Sequence, residues 1–289
     1  MKIVILIPVF NDWQSVYKLL ENINSEVSSL GQEFSVIIVN DASTETNPGL
    51  SNNLDNLSSI KIINMKENRG HARCNAAGLK HIFENEEFDY VIPMDGDGED
   101  RPEEIKKLVD NLNYHPDKPI VGERIKRSEG IFFKFCYFVH KIITFTFTGQ
   151  SIKYGNYTCL PKIIVEKMIN EKATWSSFSG SLAKVANDRA SIPSERGTRY
   201  FGPSKMSFKN LLIHSLSIIS VFKMSVLIRS ILFFLVYMFL IYQNKTIIMI
   251  TPVLLVIILI FSVFAISKRE NLEEMNNSLL NISSIDNLK

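Results

Sequence analysis

Residues 246–266 are 21 consecutive positions without a charged side chain. As a helix this run would be about 30 Å long, the depth of a bilayer's hydrocarbon layer, so the chain must hide it in lipid or wall it in on every side. A second run, residues 226–242, has 17 positions with Arg229 as the only charge, and Gln243-Asn244-Lys245 separates the two. Arg229 can snorkel to the interface, so both runs are predicted to span as a hairpin; a buried hairpin in a soluble domain is the competing reading. Lys209, Lys223 and Arg229 precede the pair and Lys268-Arg269 follow it, which predicts both ends on the cytoplasmic side.

The hairpin divides the chain. Residues 1–205 are predicted to form one domain, 206–225 an amphipathic juxtamembrane helix, 226–266 the two spans and 267–289 a polar cytoplasmic tail. Within the first part, residues 131–148 mix aromatics with Lys134, His140 and Lys141, as in a helix lying in the membrane interface; a core helix is the alternative. Met1 starts an apolar strand-like run that leads through Pro8-Val9-Phe10 into Asn11-Asp12, so no secretory leader is expected. Cys74, Cys136 and Cys159 are odd in number and widely spaced, and read as reduced packing residues.

Apolar runs at residues 3–9, 34–39, 60–65 and 90–94 alternate with helical spacings such as Val16, Leu19, Leu20, Ile23 and Ala76, Leu79, Ile82, Phe83. That alternation predicts an α/β fold of right-handed βαβ units, a mostly parallel sheet with helices on both faces. Ligands of such sheets bind at the carboxyl ends of the strands. Polar punctuation falls at those ends, at Asn11-Asp12, at Asn40-Asp41-Ala42-Ser43 and at a cluster that starts with Asp95.

That cluster, Asp95-Gly96-Asp97-Gly98-Glu99-Asp100, puts four carboxylates in six residues behind a short apolar run. Asp-Gly pairs also make ordinary turns, but acids gathered at a strand end can hold a hard divalent cation beside a phosphate. The charge distribution agrees. Residues 1–100 carry 7 Lys/Arg against 16 Asp/Glu, residues 101–200 carry 17 against 10, and residues 201–289 carry 8 against 4. The basic part leads into the apolar runs and suits phosphate or anionic lipid; nucleic acid fits this pattern poorly.

The ordered set Ile7-Pro8-Val9-Phe10-Asn11-Asp12, Val39-Asn40-Asp41-Ala42-Ser43, Asn68-Arg69-Gly70 and Asp95 through Arg101-Pro102-Glu103 resembles the family 2 glycosyltransferases of GT-A fold. With Gly122-Glu123-Arg124, with Arg199-Tyr200-Phe201-Gly202-Pro203-Ser204-Lys205 and with the hairpin, the chain is similar to polyprenyl-phosphate or dolichol-phosphate sugar synthases. The resemblance implies a GT-A, Rossmann-like catalytic domain. It assigns Pro8, Phe10 and Asp12 to the nucleotide pocket and Asp41 to the base. The family usually shows two acids and a glycine around Asp41, where this chain has Asn40 and Ala42, so UDP and GDP stay open. It implies Asp97 and Asp95 as ligands of Mg²⁺ or Mn²⁺, with Asp95 nearer the ribose or sugar. Glu99, where relatives commonly have Gln, would add an oxygen ligand. Asp97, Asp100, Arg124 and Arg199 form the implied catalytic set, the arginines holding acceptor or diphosphate oxygens. Arg127 would be a further cation or part of a solvated basic face, and Ser204-Lys205 would close a loop over the donor. His71 reads as a capping or packing residue.

A sugar hydroxyl acceptor must lose a proton to a base, which hydroxyl-directed relatives supply from a Glu-Asp motif near residues 170–190. Here Trp175-Ser176-Ser177-Phe178-Ser179-Gly180-Ser181-Leu182 stands instead, and the Gln-X-X-Arg-Trp segment of processive synthases is missing. The expectation is therefore an inverting, metal-dependent transfer of one sugar from a nucleotide-diphosphate sugar to a polyprenyl phosphate, at the cytoplasmic face of the inner membrane. A glycan or lipid-linked hydroxyl acceptor, and a non-catalytic membrane scaffold, are the alternatives. A homo-oligomer is compatible with either.

Overall fold

The computed structural model describes residues 1–50, 52–126, 131–203, 207–242 and 247–289. They fall into two compact units: residues 1–128 with 153–205 and 271–289, and residues 129–152 with 206–270.

The strands of the first unit are β1 (Lys2–Val9), β2 (Glu33–Asn40), β3 (Ser59–Met65), β4 (Tyr90–Pro93), β5 (Ile120–Lys126), β6 (Thr158–Pro161), β7 (Ala190–Glu195) and β8 (Ile282–Asn287). They form one sheet of order β7-β5-β6-β4-β1-β2-β3-β8. The centre, β4-β1-β2-β3, is parallel throughout. Every residue of β1 after Lys2 is buried, because a central parallel strand is covered on both faces; hence its sequence is continuously apolar instead of alternating. β6 runs antiparallel between β4 and β5, and β7 lies parallel to β5. Helices α1 (Trp13–Val27), α2 (His71–Asn85), α3 (Ile105–Leu112), α5 (Lys162–Ile169) and α6 (Phe178–Val185) cover the sheet. The core runs through Ile3, Ile5, Val16, Leu20, Ile38 and Ile92, all fully buried. Cys74 and Cys159 are buried free thiols, and Cys136 is half-buried and free.

The expectation of a polar tail over residues 267–289 is corrected. After a short helix, α10 (Leu272–Asn276), the chain returns to the first unit and adds β8 antiparallel to β3 at the sheet's edge. Met275 is fully buried against Trp175 and Ala76, and Trp175 Nε1 donates to Glu274 Oε2 at 2.8 Å. An edge strand needs only backbone pairing along one side, so the polar sequence Ile282–Asn287 carries no alternation that would betray it.

The second unit contains α4 (Ile131–Thr148), α7 (Phe208–Ser220), α8 (Lys223–Leu240) and α9 (Ile247–Ser267). Helix α4 therefore belongs with the apolar helices and not with residues 1–205, because Phe147 packs with Ile219, Val226, Val256 and Val263 in one cluster. Two helices here are long and apolar enough to cross a membrane, and only 11% of each hydrophobic window is buried. A hairpin buried in a soluble domain would conceal these side chains; instead Phe239 is 82% exposed and Phe261 is 73% exposed. Lys223, at the start of α8, pairs with Glu270, just past α9, at 3.6 Å.

Candidate active site

Three loops at the carboxyl ends of β1, β2 and β4 build the site. The first two are stapled together. Asn11 has φ +51, a left-handed conformation that Asn tolerates, and its side chain accepts from the Thr44 and Glu45 amides at 2.8 and 3.1 Å. Its own amide donates to Ser43 Oγ at 2.9 Å. Ala42 is also left-handed, at φ +56, a conformation that glycine adopts without strain. Asp41 is buried, and its two carboxylate oxygens accept from the Arg69 and Gly70 amides, each at 2.8 Å, at the turn into α2. Burial outweighs those two hydrogen bonds and raises its pKa.

The third loop is the acid turn after β4, and the segment after β7 lies across it as a strap. Gly197 N donates to Glu99 O at 2.8 Å and Tyr200 N donates to Asp97 O at 2.9 Å. Glycines permit the approach: a Cβ on Gly197 would come within 2.7 Å of Gly98 O, and one on Gly98 within 2.5 Å of the Tyr200 ring. Ion pairs fasten the strap. Arg199 forks between Asp97 Oδ2 and Asp12 Oδ2, at 2.6 Å to each, and Arg196 pairs with Glu99. Asp12 is held in turn by Ser15 Oγ at 2.7 Å. The Nε atoms of both arginines are buried without a hydrogen-bond partner among the described residues. Such donors are costly to leave unmade.

On the other side of the turn, His71 Nε2 lies 3.3 Å from Asp95 Oδ1, and Asn156 Nδ2 reaches both that oxygen, at 3.2 Å, and His71 Nε2, at 2.6 Å. Asp100 Oδ2 accepts from the Asp95 amide at 2.9 Å. Burial works against the Asp95 carboxylate, but His71, Arg124 and Arg196 outweigh it and hold its pKa well below the usual range. The other two acids go the opposite way. Burial, with Asp95 adding repulsion, pushes Asp97 up to about 6 in spite of Arg199, and pushes Asp100 up to about 7 in spite of Arg124. Burial opposes the His71 imidazolium, yet Asp95 prevails and raises its pKa.

Among the described residues no three acidic, histidine or cysteine side chains converge as a metal cage. The three-carboxylate set Asp95, Asp97 and Glu99 is thus not assembled, because Glu99 turns to Arg196. The remaining donors still fit a hard cation. Mg²⁺ ordinarily takes one or two carboxylates together with substrate phosphate oxygens, and the crowded Asp95, Asp97 and Asp100 hold negative charge that a cation would relieve.

The structure brings together Asp12, Asp95, Asp97, Asp100 and Arg199, with Arg124 close enough from β5 to bias Asp95 and Asp100. A cleft of about 300 Å³ beside them is lined by Asn11, Asp12, Gln14, Glu45 and Phe201. Phe10 is 43% exposed at the end of β1. Pro8 is buried within β1, and its carbonyl would be 3.2 Å from a Cβ on Gly96. Arg127, Ser204 and Lys205 lie outside the described residues. Sequence reasoning missed Arg196, Gly197 and Asn156; the basic Arg196-Gly197-Thr198-Arg199 spacing was the available signal for the first two.

The family model for glycosyl transferase family 2 matches residues 4–163. The chain belongs to glycosyl transferase family 2. It is 28% identical over 222 residues to the undecaprenyl-phosphate 4-deoxy-4-formamido-L-arabinose transferase of Klebsiella pneumoniae (strain 342). That alignment takes in 73% of this chain and 64% of the relative, so this family 2 chain spans less than two thirds of the relative's length. Among solved structures, glucosyl-3-phosphoglycerate synthase from Mycobacterium tuberculosis, in complex with Mn²⁺, UDP and phosphoglyceric acid, superposes with a TM-score of 0.55 at 12% identity, covering 78% of each chain. The mannosyltransferase PcManGT from Pyrobaculum calidifontis, in complex with GDP-Man and Mn²⁺, gives 0.52 at 14% identity over 91% of this chain and 73% of its own. At such identities the likeness establishes the GT-A-type fold of this family 2 member.

Proposed function

We propose that this protein transfers a single sugar from a nucleotide-diphosphate sugar to a polyprenyl phosphate at the cytoplasmic face of a membrane. The observation that carries the reading is the acid turn strapped beneath Arg196 and Arg199, which sets two guanidinium groups suited to an anion beside carboxylates suited to a cation. A diphosphate and its divalent metal answer both needs. The acceptor class is supported by the Klebsiella relative's acceptor and by the two exposed apolar helices.

In this reading the acceptor phosphate is already an anion at neutral pH and attacks the sugar's C1 without a base, inverting that centre. Arg199 leaves Asp12 and Asp97 to hold phosphate oxygens, and Arg124 offsets the repulsion between two anions brought together in a site of low dielectric. Asp97 and Asp95 would hold Mg²⁺ or Mn²⁺, which when bound supplies Lewis-acid stabilisation to the departing diphosphate. Asp12 and Phe10 border the donor.

The test is a donor screen with purified full-length protein, undecaprenyl phosphate, Mg²⁺ or Mn²⁺, and radiolabelled UDP- and GDP-sugars. One donor is expected to pass its label into the lipid phase as an acid-labile glycosyl phosphate. Failure of every donor refutes the activity; an acid-stable product reassigns the acceptor to a hydroxyl.

A further inference from the structure

We propose that one face of α8, beginning at Arg229, holds a long-chain isoprenoid monophosphate, with the phosphate on the guanidinium and the hydrocarbon along the helix. A trough of about 400 Å³ runs here, lined by Thr146, Arg229, Leu232, Phe233, Val236 and Leu240. The α8 positions fall at intervals of three and four, so they make a single stripe, roughly 17 Å long from Arg229 to Leu240. Arg229 is the only charge in α8 beyond Lys223, and Lys223 is already paired with Glu270. A charge within a membrane-crossing segment ordinarily faces a partner or a functional cavity.

The guanidinium is held in place from α4. Arg229 Nη1 donates to the Thr146 carbonyl at 3.1 Å, near the helix C-terminus, where the backbone dipole favours a cation. Gly149, at φ +76, makes the approach possible, because a Cβ there would stand 2.6 Å from Arg229 Nη2. One of five donors is placed on Thr146, and the side chain stays exposed. A fixed cation at the end of an apolar trough complements a lipid with a single anionic head. A stripe one helix face wide suits one hydrocarbon chain, whereas a phospholipid brings two and a zwitterionic head brings its own cation.

The inference rests on the acceptor class proposed above, and binding without any nucleotide sugar separates the two. Full-length protein in detergent is titrated with undecaprenyl phosphate and followed by native mass spectrometry, with phosphatidylglycerol as competitor. Arg229→Gln is expected to weaken binding about tenfold or more, the worth of a charge-assisted hydrogen bond. Val236→Trp fills the trough while leaving Arg229 in place, and is expected to weaken binding by a similar factor; it decides the matter if Arg229→Gln does not fold. Unchanged binding in a folded variant, or displacement by phosphatidylglycerol mole for mole, overturns the site. Tight, Arg229-dependent binding with no sugar transfer from any donor refutes the activity and leaves the site standing.

Discussion

Gly98→Ala probes the strap over the acid turn, and its cost can be worked out from the geometry. Gly98 has φ +88, and an L residue held left-handed costs roughly 1–2 kcal/mol. The added Cβ would also stand 2.5, 2.6 and 2.7 Å from three atoms of the Tyr200 ring. Carbon atoms rest about 3.5–4.0 Å apart, so the ring must retreat by about 1 Å. Overpacking of this sort costs about 1–3 kcal/mol, and the retreat strains the hydrogen bond from Asn22 Nδ2 to Tyr200 Oη, now 2.7 Å. The sum is about 2–5 kcal/mol. In a Tyr200→Ala background the ring is gone and only the backbone cost remains, so the double variant should be less destabilised than the sum of the singles by about 1–3 kcal/mol. The assay is denaturant unfolding of the full chain in detergent, followed by tryptophan fluorescence. Trp13 and Trp175 are the chain's two tryptophans, and both are buried in the first unit, so the signal reports that unit alone. Additivity within about 0.5 kcal/mol, or a Gly98→Ala protein as stable as its parent, would show that the ring does not rest on the turn.

Ala42→Gly should stabilise the first unit by about 1 kcal/mol in the same unfolding assay, since it relieves the left-handed conformation of a residue with a Cβ. Met275→Ala should cost about 2–4 kcal/mol, as expected for a fully buried methionine, whereas Glu274→Gln keeps an acceptor for Trp175 Nε1 and should cost less than about 1 kcal/mol. The pKa of Asp97 is raised on folding to about 6, so the folded unit binds the extra proton. The stability this group contributes is present below the ordinary carboxylate range and is lost as pH rises through about 6. Without metal, the stability of the parent relative to Asp97→Asn should therefore grow as pH falls from about 7.5 to about 5, measured as paired unfolding midpoints. Cation binding at Asp97 must expel that proton, so adding Mn²⁺ with UDP near pH 6 should release protons. Calorimetry in buffers of different ionisation heat reads the release, which Asp97→Asn should abolish.

What the sequence disclosed tracks how each feature is stabilised. The four central strands were legible because burial on both faces demands unbroken apolar runs, as in β1 and β2. β6, with four residues, and β8, at the edge, owe their place to backbone pairing with neighbours far away in the chain, and such pairing leaves little trace in local pattern. In the site, Asp97 and Arg199 could be named from motif resemblance, but their mutual ion pair could not, since it joins residues 102 positions apart. Glu99 shows the limit most clearly. In sequence it is one more acid in a cluster, and only the fold shows that it pairs with Arg196. Asp41 shows the same limit: in sequence it is an acid at a strand end, and only the fold shows that each of its oxygens accepts a backbone amide at the turn into α2.

The return strand also bears on how the hairpin can run. Lys66 N donates to Asn281 O at 2.7 Å, Ile60 N to Lys289 O at 3.2 Å, and Asn64 Nδ2 to Asp286 Oδ2 at 2.7 Å, so residues on both sides of the apolar helices are built into one sheet. A polypeptide cannot leave that sheet, cross a bilayer an odd number of times and come back to pair with β3. If α8 and α9 enter lipid, they must do so as two crossings, or as none with both lying in the interface. With 21 uncharged residues in the second run and exposed apolar side chains along both helices, interfacial burial would leave half of each helix's surface in water. Two crossings bury that surface, and they use the same connectivity that β8 already requires.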